Sequence, residues 1–138
     1  MESETEDRMS RVFDDLSRRV IAAAIAVHKG LGPGFLESVY EQALRVELAE
    51  QQIPFEAQKH IDVIYNGTQV GTHVLDLLVD NSIVVELKAI EKFEDIHYAQ
   101  VKSYLRATGL KVGLLVNFAT TQLAVKRIVS GYEDRSTQ

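Results

Sequence analysis

The sequence predicts an α/β domain in which a mixed sheet is flanked by helices. Two amphipathic helical stretches open the chain, β-type runs fill residues 55–88, and a third helix then leads into a buried apolar strand. With 138 residues, 46% of them hydrophobic, the chain has material for one core and too little length for two domains. Residues 10–130 are therefore assigned to a single domain, with a frayed acidic tail over 1–9 and a polar tail over 131–138.

The first helix is expected from about Ser10 to Lys29. Ser10 can cap it, Asp14 and Asp15 suit its positive end, and Phe13, Leu16, Val20, Ala24 and Val27 keep helical spacing. Gly30 is the expected stop, followed by a Leu31-Gly32-Pro33-Gly34 turn. A second helix is expected from Leu36 to Gln51, with Pro54 just beyond it. Residues 55–65 and Gln69 to Val79 form a hairpin around Asn66-Gly67, and Asp80-Asn81-Ser82 turns the chain into a third strand, Ile83 to Lys88. A helix from Glu94 to Thr108, closed by Gly109, precedes strands at Lys111 to Asn117 and Leu123 to Val129; for the last of these a helix stays open.

Composition excludes several classes. The chain has no cysteine, so disulfides, cysteine-based zinc sites and iron–sulfur clusters are out. Its longest all-apolar run, Val20 to Val27, is too short to span a bilayer, and no secretory signal is visible, so a cytoplasmic protein without a membrane partner is expected. The net charge of −5 comes largely from Glu2, Glu4, Glu6 and Asp7; without the first nine residues, 16 acidic groups face 14 basic ones. A strongly basic nucleic-acid footprint is absent. His28, His60 and His73 show no metal-ligand spacing and read as structural or surface residues.

The informative stretch is Val74 to Val79, a turn, and Ile83 to Lys88. If the strands pair about Asn81, Asp76 lies opposite Glu86 with Cβ atoms about 5 Å apart, and Lys88 shares their face. Leu75, Leu77, Val79, Ile83, Val85 and Leu87 then form a wholly apolar opposite face. One reading is a solvated face with a cross-strand ion pair. Against it, two opposed carboxylates repel unless a cation lies between them, and Mg²⁺ is typically held by one or two carboxylates, waters and phosphate oxygens. Glu37 falls on or beside the inward stripe of Tyr40, Leu44 and Leu48, although an acid there also answers the helix dipole. Gln100 and Tyr104, four apart with His97 one turn earlier, can orient a water or a phosphate, or form an ordinary polar flank.

In this order, Gly34-x-x-Glu37-x-x-Tyr40, a strand Asp76, Glu86-x-Lys88 and Gln100-x-x-x-Tyr104 resemble the GxxExxY protein family of the PD-(D/E)XK nuclease superfamily. The similarity spans about residues 15–130 and includes the Leu31–Gly34 turn and Ala107-Thr108-Gly109-Leu110. It implies an αβββαβ core carrying an extra N-terminal helix, and Mg²⁺-dependent (or Mn²⁺-dependent) hydrolysis of nucleic acid, DNA ahead of RNA. By resemblance, Asp76, Glu86 and the backbone carbonyl of Leu87 bind the metal and Glu37 completes its shell. Lys88 positions and activates the attacking water, Gln100 orients lysine, water or substrate, and Tyr104 and Tyr40 position substrate. Relatives commonly carry an arginine two residues before the strand aspartate, where this chain has Val74. That difference and the near-neutral charge favour the alternative, a catalytically weak or inactive binding or assembly module. A homodimer or a protein partner is the corresponding expectation for grip on the substrate.

Overall fold

The computed structural model describes residues 2–131, with side chains from Asp14 onward. Among the described residues three helices and five strands follow one another as α1 (Glu2–Leu31), α2 (Glu37–Glu50), β1 (Phe55–Tyr65), β2 (Thr68–Val79), β3 (Ile83–Lys88), α3 (Asp95–Thr108), β4 (Val112–Asn117) and β5 (Ala124–Val129). The strands form one sheet in sequence order, antiparallel except for the parallel pair β3–β4, which α3 bridges as a crossover. The expected mixed sheet with flanking helices is thus observed, and the last element is a strand.

The helices cover opposite faces of this sheet. On one, Leu16, Val20, Ala23, Ala24 and Val27 of α1 and Tyr40, Leu44 and Leu48 of α2 pack on Leu77, Val79, Val85, Leu87, Leu114 and Val116. On the other, Val101, Tyr104 and Leu105 of α3 pack on Leu78, Val84, Leu115 and Ile128. Contact there is close enough that a β-carbon at Gly113 would stand 2.5 Å from Val101 Cγ1. Phe13, expected in the α1 stripe, has its side chain outside the described residues, as does the polar tail beyond Gly131.

The boundaries of α1 differ from expectation. It starts at Glu2, so Ser10 lies inside the helix and not at its N-cap. At the other end the helix passes through Gly30 and stops at Gly32, whose φ of 73° provides the left-handed residue and whose N–H donates to His28 O at 2.8 Å. The two hairpin turns use positive φ at both central residues, Asn66-Gly67 and Asp80-Asn81, as tight antiparallel connections require. His97 is drawn into the start of α3: its Nδ1 accepts the Glu94 N–H at 2.8 Å within a capping box.

Candidate active site

The site forms where the β2–β3 ladder gives out. Pairing runs Val79↔Ile83, Leu78↔Val84 and Leu77↔Val85, the register expected from the sequence. At the next position side chains replace backbone carbonyls. The Leu87 N–H donates to Asp76 Oδ2 at 2.9 Å, and the Asp76 N–H donates to Glu86 Oε1 at 3.3 Å. Each carboxylate therefore has one oxygen tied to the main chain, leaving Asp76 Oδ1 and Glu86 Oε2 for other partners. Lys88 Nζ stands 4.0 Å from Glu86 Oε2, with both side chains largely buried.

Strict alternation does not hold through this point. Leu75 packs with the α3-side core, whereas Leu77 and Val79 belong to the α1/α2 side, so β2 changes faces at Asp76. This corrects the apolar face expected to run from Leu75 through Leu87. Val74 pairs with His60, and the β2–β3 ladder ends before Val74 and Lys88 meet, so they are not the opposed pair that a regular register would give.

Burial sets the electrostatics. Glu86, 6% exposed, has its carboxyl pushed up to about 8, first by burial and then by the Asp76 charge, against the pull of the Asp76 N–H and Lys88. Asp76 is also raised, chiefly by burial and further by Glu41, while the Leu87 N–H, Lys88 and His73 oppose the shift. Glu37, the first residue of α2, is exposed as a whole, yet partial burial of its carboxyl and then the nearby Asp76 raise it. Three acids facing one lysine leave an excess of negative charge in a poorly solvated place. A cation would relieve it.

Helix α3 supplies the opposite wall. Tyr104 is 8% exposed, and burial with the Glu86 and Asp76 charges pushes its phenol up to about 12, so it stays a hydrogen-bond donor. Its ring stacks on His73 at 3.9 Å between centroids. Gln100 Oε1 and His73 Nε2 are buried without a hydrogen-bond partner among the described residues. Behind Lys88, the Asn117 side chain bonds both the N–H and the carbonyl of Ile90, at 3.1 and 2.8 Å, and so fixes the exit of β3.

The structure thus groups Glu37, Asp76, Glu86, Lys88 and Tyr104 through their fields and contacts. Tyr40 is a correction. It is fully buried, its hydroxyl donates to Gly32 O at 2.6 Å and accepts from Phe35 N–H at 3.1 Å, and its ring stacks on Phe118. It braces the Gly32–Gly34 turn and cannot face a substrate. Two residues were missed. Glu41, buried and one turn beyond Glu37, acts on both Asp76 and Glu37; the four-residue spacing from Glu37 was the available signal. His73, assigned a structural or surface role, instead lines the site against Tyr104. Its pKa is lowered, by burial first and Lys88 second, against the Asp76 charge. His28 is structural as expected, bonded through Nε2 to Thr120 O at 2.9 Å.

Among the described residues no three His, Asp or Glu side chains form a ready-made metal cluster. The donor chemistry nevertheless fits a hard cation: two interlocked carboxylates, each with an oxygen not held by the main chain, within the field of a third acid, Glu37. Two carboxylates completed by water and phosphate oxygens is how Mg²⁺ is commonly held, without an all-protein cage.

The family model of the PD-(D/E)XK nuclease superfamily matches residues 14–128. The chain belongs to that superfamily. Members of the PD-(D/E)XK superfamily are nuclease-type domains that act on nucleic acid and generally use divalent metal ions. Among solved structures, the crystal structure of SSO0001 is similar in fold, with a TM-score of 0.55 and 18% identity over 72% of this chain. The chain spans about half of that one, with 52% covered. No curated protein matches it. No helix among the described residues is long and apolar enough to cross a membrane.

Proposed function

We propose that the protein is a Mg²⁺-dependent nuclease, able to use Mn²⁺, that hydrolyses phosphodiester bonds in DNA in preference to RNA. The observation that carries this reading is the interlock of Asp76 and Glu86 at the end of a ladder, with Lys88 at 4.0 Å. Its membership of a nuclease superfamily supports it, and the motif order supports the narrower GxxExxY assignment.

Asp76 and Glu86 would hold the ion through the oxygens that the main chain leaves free, with the Leu87 carbonyl as a further ligand and Glu37 completing the shell from α2, directly or through a water. When bound, Mg²⁺ supplies charge neutralisation and Lewis acidity toward the phosphate and the attacking water. Lys88 places a fixed positive charge beside the non-bridging phosphate oxygens and orients the water for in-line attack. Gln100 Oε1 accepts a hydrogen from that water or from Lys88, which answers its lack of a partner. Tyr104, kept protonated, donates to the phosphate. Water oxygen bonds to phosphorus as the bond to the leaving sugar oxygen breaks, the attacking water losing a proton to bulk water and the departing oxygen taking one from it.

A non-cleaving binding or assembly module is the rival reading, favoured by Val74 and by the near balance of charge outside the first nine residues. Under either reading a second copy or another protein helps to hold the substrate. Incubation of single- and double-stranded DNA and RNA with the wild type and Glu86→Gln in Mn²⁺ separates the two. Cleavage by the wild type alone supports the nuclease, and no cleavage at high protein concentration contradicts it.

A further inference from the structure

The change of faces at Asp76 has a counterpart directly across the hairpin. The β1–β2 register passes from Ala57↔Leu77 to Lys59↔Leu75, leaving Gln58 and Asp76 unpaired between them. Ala57 packs toward α1 and α2 while Ile61 packs toward α3, so β1 switches sides where β2 does. Gln58 adopts φ of 52°, a left-handed angle disfavoured for a side chain without compensation.

The compensation comes from α2. Gln58 Nε2 donates to Glu41 Oε1 at 2.7 Å, and Arg45 binds the other oxygen, Glu41 Oε2. Glu41 is buried and lies one turn from Glu37 on the same helix. A single chain of contacts therefore connects the helix that carries Glu37 to the strand position facing Asp76.

We propose that Glu41 is a positioning residue for this site: through Gln58 it pins the place where β1 and β2 change faces, and so fixes the Asp76 carboxylate relative to Glu37 and Glu86. The proposal rests on the metal-dependent reading above for its effect on ion affinity. Its effect on Asp76 itself is readable without metal.

Amide hydrogen exchange on the full, metal-free chain provides that reading, because the Leu87 N–H is bonded to Asp76 Oδ2. In Gln58→Gly the glycine suits the backbone angle and only the amide link is lost. The expected result is about tenfold faster exchange at Leu87 with Leu114 in β4 unchanged, as for loss of one fixed hydrogen bond. Glu41→Ala gives the same selective change, and Glu41→Gln, which keeps an acceptor for Gln58, restores most of the protection. Mn²⁺ affinity, read by electron paramagnetic resonance, falls about tenfold in Gln58→Gly. Unchanged exchange at Leu87, or an equal rise at Leu114, overturns the proposal. A wild type that binds no Mn²⁺ while the selective exchange change persists overturns the metal reading alone.

Discussion

Asp76 and Glu86 each accept a hydrogen bond from the other's strand: the Asp76 carboxylate takes the Leu87 N–H, and the Glu86 carboxylate takes the N–H of Asp76 itself. Two carboxyl groups are thereby held together by the backbone at the point where an ordinary ladder would exchange amides and carbonyls. Backbone donors offset part of the repulsion, and both groups still sit above the usual carboxylate range because burial outweighs those donors.

Neutralising this pair should strengthen the empty fold and disable the site. Glu86→Gln keeps an acceptor for the Asp76 N–H and removes a buried group that can ionise. Its melting temperature without metal should equal or exceed that of the wild type. The rise in melting temperature that Mn²⁺ gives the wild type should vanish, and cleavage should fall by at least about a hundredfold. Scanning calorimetry with and without Mn²⁺, beside a cleavage assay, checks all three.

The raised carboxyls fix the sign of the pH dependence. Folded Glu86 holds its proton up to about 8, whereas the same group in the unfolded chain releases it near 4.5. Between those values the folded state binds more protons, so its stabilising share is complete below pH 4.5 and is lost as pH rises toward 8. Asp76 and Glu37 shift in the same direction. Urea denaturation of the metal-free protein at several pH values should show this decline. Mn²⁺ affinity should climb over the same interval, because the ion displaces those protons.

Lys88 separates chemistry from binding. Lys88→Met removes the cation 4.0 Å from Glu86 and keeps the stem that packs there. Cleavage should be lost while Mn²⁺ affinity stays level or rises, since the amine repels the ion. Weaker Mn²⁺ binding in calorimetric titration would contradict the role given to this residue.

Tyr40 offers a structural control. Tyr40→Phe removes both hydroxyl contacts with the Gly32–Gly34 turn and preserves the stack on Phe118. The loss should be about 1 kcal/mol, or roughly 3 °C in melting temperature, with Mn²⁺ affinity unchanged.

Much of this was legible in the residues because the deciding signals were local. Asn66-Gly67 and Asp80-Asn81 encode tight turns through residues that tolerate positive φ, and the second turn fixed the register that sets Asp76 against Glu86. What escaped was non-local. The period of two placed Leu75 beside Leu77, but the face change at Asp76 depends on Gln58 across the hairpin and on Glu41 from a helix. Tyr40 had the spacing of a site residue, yet the turn it bonds was folded back onto it, a contact that spacing does not express. Ser10 had the residue type of a cap, but the helix already runs from Glu2, so the position lies in its interior.

The central claim is that Asp76 and Glu86 together hold one hard divalent ion, and a crystal soaked in Mn²⁺ addresses it most directly. The account predicts one anomalous peak at about 2.1 Å from an oxygen of each carboxylate, absent from Glu86→Gln crystals. A soaked crystal at saturating Mn²⁺ with no peak between the two groups, or with the ion bound elsewhere, would contradict it.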